Sequence, residues 1–298
     1  REVMRRTIDD FRTALRSTGE QKQAFYERYP FDVRPATDDS PFFFNFYKWS
    51  SLFTGGGSAP DVLGYHSDFP IGHFVLLASM VQILLLAAAL IFLPIRKLTY
   101  DGLRTPGALR VFLYFAALGL GFMLIEIALM QKLVIFLGHP TYALSVVLTS
   151  ILAAAGTGSL LSGRITRVRR RHLLWILAGV TATVLLDVYA INNLLLELLG
   201  QPLWLRITIV VALLVPTGLV LGMAFPSGLR LVEEQCPHLV PWGWAVNAFF
   251  SVFGSIFCIV LSMAIGFSNV FFVALLVYAI GLLSMRVPRD AAAPPEAN

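Results

Sequence analysis

The residues best suited to chemistry are two carboxylates set in apolar surroundings, Glu126 in GFMLIEIALMQKL and Asp187 in VLLDVYAINN. In hydrocarbon an ionised carboxylate costs several kcal/mol unless it is paired, hydrated or protonated, so each must face other protein rather than lipid. No Lys or Arg lies deep within the surrounding apolar runs, and Lys132, six residues beyond Glu126, reaches back only in part. Two chemistries follow from that placement. In the first, Glu126, Asp187 and Asn247 line a route for a proton or a cation. In the second, each acid is a hydrogen-bonding group that locks one helix to another. Asn192 and Asn193 after Asp187 point to a nearby membrane interface, where an aspartate needs no special partner. His139, in FLGHPTYALS, precedes a proline at a turn and is expected to cap the next helix or to titrate with Glu126.

Other chemistry-bearing residues are too dispersed to form a centre. His66 and His73 are separated by Pro70, and the remaining histidines are scattered. Cys236 and Cys258 provide neither a disulfide framework nor a metal-ligand spacing. AAGTGSLLSGR lacks the Lys-Ser/Thr pair of a phosphate loop and lies in an apolar run. No catalytic residue, metal or cofactor is therefore assigned.

The elements that position the two acids follow from hydropathy. With 57% hydrophobic and only 14% charged residues, the chain holds more apolar surface than a soluble globule can hide. Apolar stretches close to the ~20 residues that cross a bilayer lie near 71–95, 111–134, 141–163, 173–193, 205–225, 242–265 and 268–285. The expected fold is all-α, a polytopic transmembrane bundle of about seven spans over 71–286. The last two spans are parted only by GFSN, a tight hairpin turn.

Before the bundle, residues 1–70 carry nine Lys/Arg and ten Asp/Glu and read as a water-facing segment. It starts as an amphipathic helix with Met4, Ile8, Phe11 and Leu15 on one face, becomes extended through FDVRPATDDSPFFFNFYKW, and ends in a glycine-rich linker. The aromatic run is expected to pack on a domain surface rather than to anchor in headgroups. Residues 287–298 read as a disordered tail. Because the chain opens at Arg1 and its first apolar run starts near residue 70, it is expected to be part of a longer protein.

Basic residues cluster in the loops 96–110 and 164–172, which the positive-inside rule makes cytoplasmic in an inner membrane. The net charge of +5 is thereby explained without nucleic acid. Partners are the lipid bilayer and a soluble domain or other membrane subunits. Parity then sends residues 1–70 to the opposite side from the tail.

Small and polar residues recur at helical spacing, which lets neighbouring helices approach closely. Gly218 and Gly222 form a GxxxG step flanked by Pro216 and Pro226, which also permits a local break. Ala155, Ser159 and Gly163 share a face, as do Gly179, Thr183 and Asp187. A longer stripe joins Asn247, Ser251, Ser255, Cys258 and Ser262. Trp242 and Trp244 mark an interface, and SGLRLVEEQCPHLVP before them reads as a short surface helix.

Taken together, PATDDSPFFFNFYKW, LIEIALMQKLVIFLGHPTYALSVVL, GTGSLLSGR, GMAFPSGLRL and PWGWAVNAFFSVFGSI resemble the C-terminal membrane half of bacterial membrane-bound spermidine-synthase-like (polyamine aminopropyltransferase-like) proteins. The resemblance covers most of the chain from about residue 33. It implies a Rossmann-type aminopropyltransferase-like domain upstream of the TDD-proline-aromatic segment, and no catalytic residue transfers to this chain. The expected function is a membrane module that anchors or assembles a soluble domain or larger complex. The alternatives are a transporter-like unit for a cationic or polyamine-type substrate, and the membrane part of a complete aminopropyltransferase. A domain using S-adenosyl chemistry belongs in the cytoplasm, in tension with the parity argument.

Overall fold

A computed structural model describes residues 8–9, 12–29, 31–42, 47–49, 71–98, 107–165 and 168–285, with side chains throughout except at 90–92 and 94–98. The expectations for Met4, Phe11, His66, the glycine-rich linker and the tail 287–298 lie outside the described residues. The chain separates into two compact units, one up to Val81 and one from Gln82.

In the first unit, helix α1 (Glu20–Arg28) follows a helical stretch at 12–16, from which Gly19 with φ 57° divides it. The described part of the stretch read as an amphipathic helix, residues 8–9 and 12–16, is helical, and Gly19 with positive φ separates it from α1. Ile8 and Leu15 are exposed rather than buried. Lys48 donates to the carbonyls of Tyr26 (2.7 Å) and Glu27 (2.8 Å), a cation placed on the free carbonyls at the C-terminus of α1. Phe31 bridges to Tyr47 as an isolated β pair, with their rings 5.6 Å apart and edge to face. Trp49 meets the buried His73 ring at 4.5 Å, so both described ends of the aromatic stretch pack against protein.

Helix α2 (Ile71–Leu98) is followed by α3 (Ala108–Leu137), α4 (Pro140–Ser162), α5 (Arg170–Tyr189), α6 (Leu203–Glu233), α7 (Val240–Ile265) and α8 (Phe267–Ser284). Seven of these helical stretches are long and apolar enough to cross a membrane, and the chain is a multi-pass membrane protein. At ~1.5 Å per residue α3 and α6 are each ~45 Å long, more than the ~30 Å of hydrocarbon, so their ends project into the headgroup zone. Two of the turns between helices are minimal. Gly138 (φ 80°) and His139 join α3 to α4, and Gly266 alone (φ 81°) joins α7 to α8, a bend that a side chain at that φ would strain.

In the second unit α3 is the central helix. Its apolar window is 61% buried, against 39% or less for every other span, and it packs on α4, α6, α7 and α8. Exposed Trp175 and Trp244 lie in the first turns of α5 and α7, and exposed Trp204 lies at the start of α6, at the opposite end of the bundle. These are the headgroup-level positions that amphipathic rings favour. Trp242 instead is buried and leans on Phe112 (5.8 Å).

Helix α6 corrects one expectation: residues 227–233, read as part of a separate surface helix, are its last turns. The local break that Pro216 and Pro226 would permit does not form, and the helix is continuous through both. Pro226 leaves the Gly222 carbonyl without its i+4 N–H, and Pro216 does the same to Ala212.

Between α4 and α6 the backbones touch. A Cβ added at Gly158 would strike the Leu219 carbonyl, and one at Gly222 would strike the Ala155 carbonyl. At Gly218 it would come within 2.6 Å of Ala154 Cβ. Lipid tails are as apolar as the side chains, so close packing of this kind replaces the hydrophobic effect as the adhesive. Gly222→Leu is expected to lower stability by roughly 1–3 kcal/mol or more, read as a fall in the thermal midpoint in detergent, whereas Gly156→Leu, where added atoms meet open space, should leave it nearly unchanged.

A second prediction concerns the first unit. Arg34 Nε donates to Asp32 Oδ1 at 2.8 Å, and this hydrogen bond, partly opposed by burial, holds the Asp32 carboxyl below its ordinary value. A lowered folded-state pKa means that the stabilisation is present above the unfolded value of ~3.9 and is lost as pH falls through the folded one. An NMR titration of the Asp32 carboxyl should show an upward displacement in Arg34→Ala.

Candidate functional site

Among the described residues, four side chains of the second unit donate hydrogen bonds from nitrogen or oxygen to another helix. Asp187, near the end of α5, is wholly buried, and its Oδ2 accepts from Thr217 Oγ1 of α6 at 2.6 Å. Asp187 thus has a partner on a second helix, and α5 continues past it into a π-helical turn, Ala190–Leu194. Tyr114 of α3 donates to the Ala224 carbonyl of α6 at 2.6 Å, with Gly228 making room for its ring.

The other two contacts are arginine clamps. Arg206, in the first turn of α6, donates from Nη1 to the Phe136 carbonyl at the C-terminus of α3 (2.8 Å). Arg230, in the last turn of α6, donates from Nη2 to the Ser162 carbonyl (2.6 Å) and hydroxyl (2.9 Å), and from Nη1 to Ile165 (3.1 Å). Arg206 thus meets a carbonyl of the last turn of α3, and Arg230 shares the Ser162 carbonyl at the end of α4 with the Ile165 N–H (3.1 Å), each at the negative end of a helix dipole. The two arginines are 24 residues apart. That is ~36 Å along α6, a span slightly longer than the hydrocarbon they bracket.

Glu126 stands apart from these contacts. It lies on α3 with 6% of its surface exposed, and its Oε1 is buried with no hydrogen-bond partner among the described residues. No ion pair joins Glu126 or Asp187 to a cation there, and no hydrogen bond joins the two acids. The structure does not bring them together as a pair. His139 is the N-cap of α4, its Nδ1 accepting from Thr141 N at 3.2 Å, with Pro140 at the first helical position.

One turn along α3 from Glu126 lies a cavity of about 290 Å³ between α3, α6, α7 and α8. Phe122 and Met123, four and three residues before Glu126, line it and place the acid on the cavity-facing side of the helix. Asn247 and Ser251 face it from α7 and Tyr278 from α8. Gly222, whose carbonyl Pro226 deprives of a backbone donor, lines it from α6. Gly119 brings α3 onto α7 so closely that a Cβ there would strike the Asn247 carbonyl, which already accepts from Ser251 Oγ at 2.9 Å.

The remaining stripe residues bind their own helices or serve as packing surface. Ser255 donates to Val252 (2.8 Å) and Ser262 to Ile259 (2.9 Å), while Cys258 Sγ faces Leu124 O of α3 at 3.8 Å. Ala155 meets α6, and Ser159 O receives the Ser162 hydroxyl at 2.7 Å. Gly163 is the exposed C-cap of α4, and an added Cβ there would meet only Leu160 O of the same helix. Among the described residues, no group of three or more His, Cys, Asp or Glu is placed to hold a metal ion.

Sequence reasoning missed Arg206, Arg230, Tyr114 and Thr217. The two arginines had a legible signal, a single cation at each end of a long apolar run. Thr217 had none, because its partner is 30 residues away on another helix.

Comparison of the chain with family models, curated proteins and solved structures finds no match.

Thr217→Val removes the donor to Asp187 while keeping the side-chain shape, and is expected to cost about 1–3 kcal/mol. In a double-mutant cycle with Asp187→Asn, measured by detergent unfolding, a coupling of roughly 0.5–2 kcal/mol is expected. Additive effects would show that the contact contributes nothing.

Proposed function

We propose that the bundle is a membrane module that anchors or assembles a soluble synthase-like domain, or a larger membrane complex, and does no catalysis itself. What supports this most is how the spans use their polar groups. Asp187, Tyr114, Arg206 and Arg230 are all engaged in holding one helix to another. Glycine-to-backbone contacts between α4 and α6 serve the same end. The water-facing segment ahead of the bundle is the part placed to meet a soluble partner. The resemblance in PATDDSPFFFNFYKW, GMAFPSGLRL and PWGWAVNAFFSVFGSI supports an aminopropyltransferase-like domain as that partner. On this reading the chain is the membrane part of a complete aminopropyltransferase, or of a relative that keeps only its scaffold. Loops 96–110 and 164–172 face the cytoplasm of an inner membrane, by their charge.

A second reading is supported by Glu126. Its Oε1 is buried without a partner among the described residues, and the residue sits one turn from a cavity, as a unit that passes a cation or polyamine-type substrate would require.

Mild extraction of the protein from its native membranes, followed by native mass measurement, tests the first reading. A particle containing a synthase-like polypeptide or another membrane subunit is expected, and a lone monomer at all protein concentrations would sink it. Glu126→Gln should leave that particle intact. Loss of cation uptake into proteoliposomes in the same variant, with assembly unchanged, would favour the second reading.

A further inference from the structure

We propose that the cavity between α3, α6, α7 and α8 is a binding site for a small alkylammonium ion, with Glu126 as its counter-charge. This rests on the second reading above, in which Glu126 deals with a cation, and gives it a place and a ligand class. Three independent features of the cavity agree on that chemistry.

The first is acceptors. The Gly222 carbonyl has lost its intrahelical donor to Pro226, and the Asn247 amide and Ser251 hydroxyl add acceptor oxygens from α7. An ammonium group has three donors and no acceptor, the complement of this set. The second is aromatic rings. Phe122, Phe225 and Tyr278 line the same space from three helices, and their negative faces attract a cation most strongly where water is excluded. The third is charge. No Lys or Arg lines the cavity, whereas the buried, unpartnered Oε1 of Glu126 lies one helical turn away on the same face of α3. A cation in the cavity would relieve that carboxylate, and a neutral or anionic guest would not.

Size limits the guest. At about 290 Å³ the cavity is just below the ~300–1,000 Å³ usual for ligand pockets, which suits an alkyl chain of a few carbons with one charged head. Position suits it as well. Asn247 is seven residues into α7, ~10 Å from its start, and Phe122 is ~20 Å along α3, so the ligand would enter from the end of the bundle that bears Arg230. Glu126 lies deeper than the cavity, where it draws the charge inward.

The test uses the whole chain in nanodiscs of zwitterionic lipid, titrated by calorimetry with n-butylammonium and, separately, with the neutral isostere n-butanol. Saturable one-to-one binding of butylammonium, at least about tenfold tighter than butanol, is expected. Glu126→Gln should weaken butylammonium about tenfold and leave butanol unchanged, a selectivity that a merely structural glutamate would not produce. Asn247→Ala, a second variant to be checked for an unaltered melting profile, should weaken butylammonium several-fold. Equal affinity for the two probes, or an equal loss of both in Glu126→Gln, overturns the proposal in favour of a plain apolar void. Butylammonium binding without any flux in proteoliposomes would end the transport reading and keep the site. Cation flux that butylammonium neither binds to nor inhibits would keep transport and end the site.

Discussion

A polar group inside a bilayer has no water to fall back on, so its partner must come from the protein, and from whichever helix happens to be adjacent. That constraint organises the second unit. The Asp187 carboxylate meets the Thr217 hydroxyl, the Tyr114 hydroxyl meets a backbone carbonyl of α6, and both ends of α6 carry a guanidinium that donates to a carbonyl at the C-terminus of a neighbouring helix. Remove the adjacent helix and each of these groups becomes a cost of several kcal/mol in hydrocarbon.

Helix α6 concentrates the consequences. It carries both arginine clamps, both intrahelical prolines and the glycines that touch α4, and it accepts the Tyr114 hydroxyl from the central helix α3. Proline inside a helix normally bends it, yet α6 is continuous, because its ends are clamped and its middle is pressed onto α4 along Gly218 and Gly222. Gly222, whose carbonyl has lost its i+4 donor to Pro226, lines the cavity beside α6.

Scaffold and site are for this reason not competing descriptions of the molecule. Many polar groups in the spans are consumed by helix contacts, while Glu126 Oε1, Asp187 Oδ1 and Ser227 Oγ are buried without a partner among the described residues, and Gly222, Asn247 and Ser251 line the cavity one turn from Glu126. Close approach at Gly119 and Gly121, which admits the Asn247 backbone and the Tyr278 ring respectively, shapes the walls of that cavity.

The sequence by itself determined the class of molecule, the number of spans and nearly all of their limits, since mean hydropathy and length decide whether a segment partitions into hydrocarbon. It also determined the tight turns at Gly138 and Gly266 and offered helix capping as one of two roles for His139 before Pro140, because caps and turns depend on residues within four positions of each other. Tertiary structure alone decided that Asp187 is buried against a second helix, that Gly163 is an exposed helix cap, and that α6 is continuous through its prolines to Glu233. Each of those outcomes depends on a partner dozens of residues away, as with Thr217 for Asp187 or Ser162 for Arg230. Helical periodicity says which residues share a face. Which face meets which neighbour is settled only when the helices have packed.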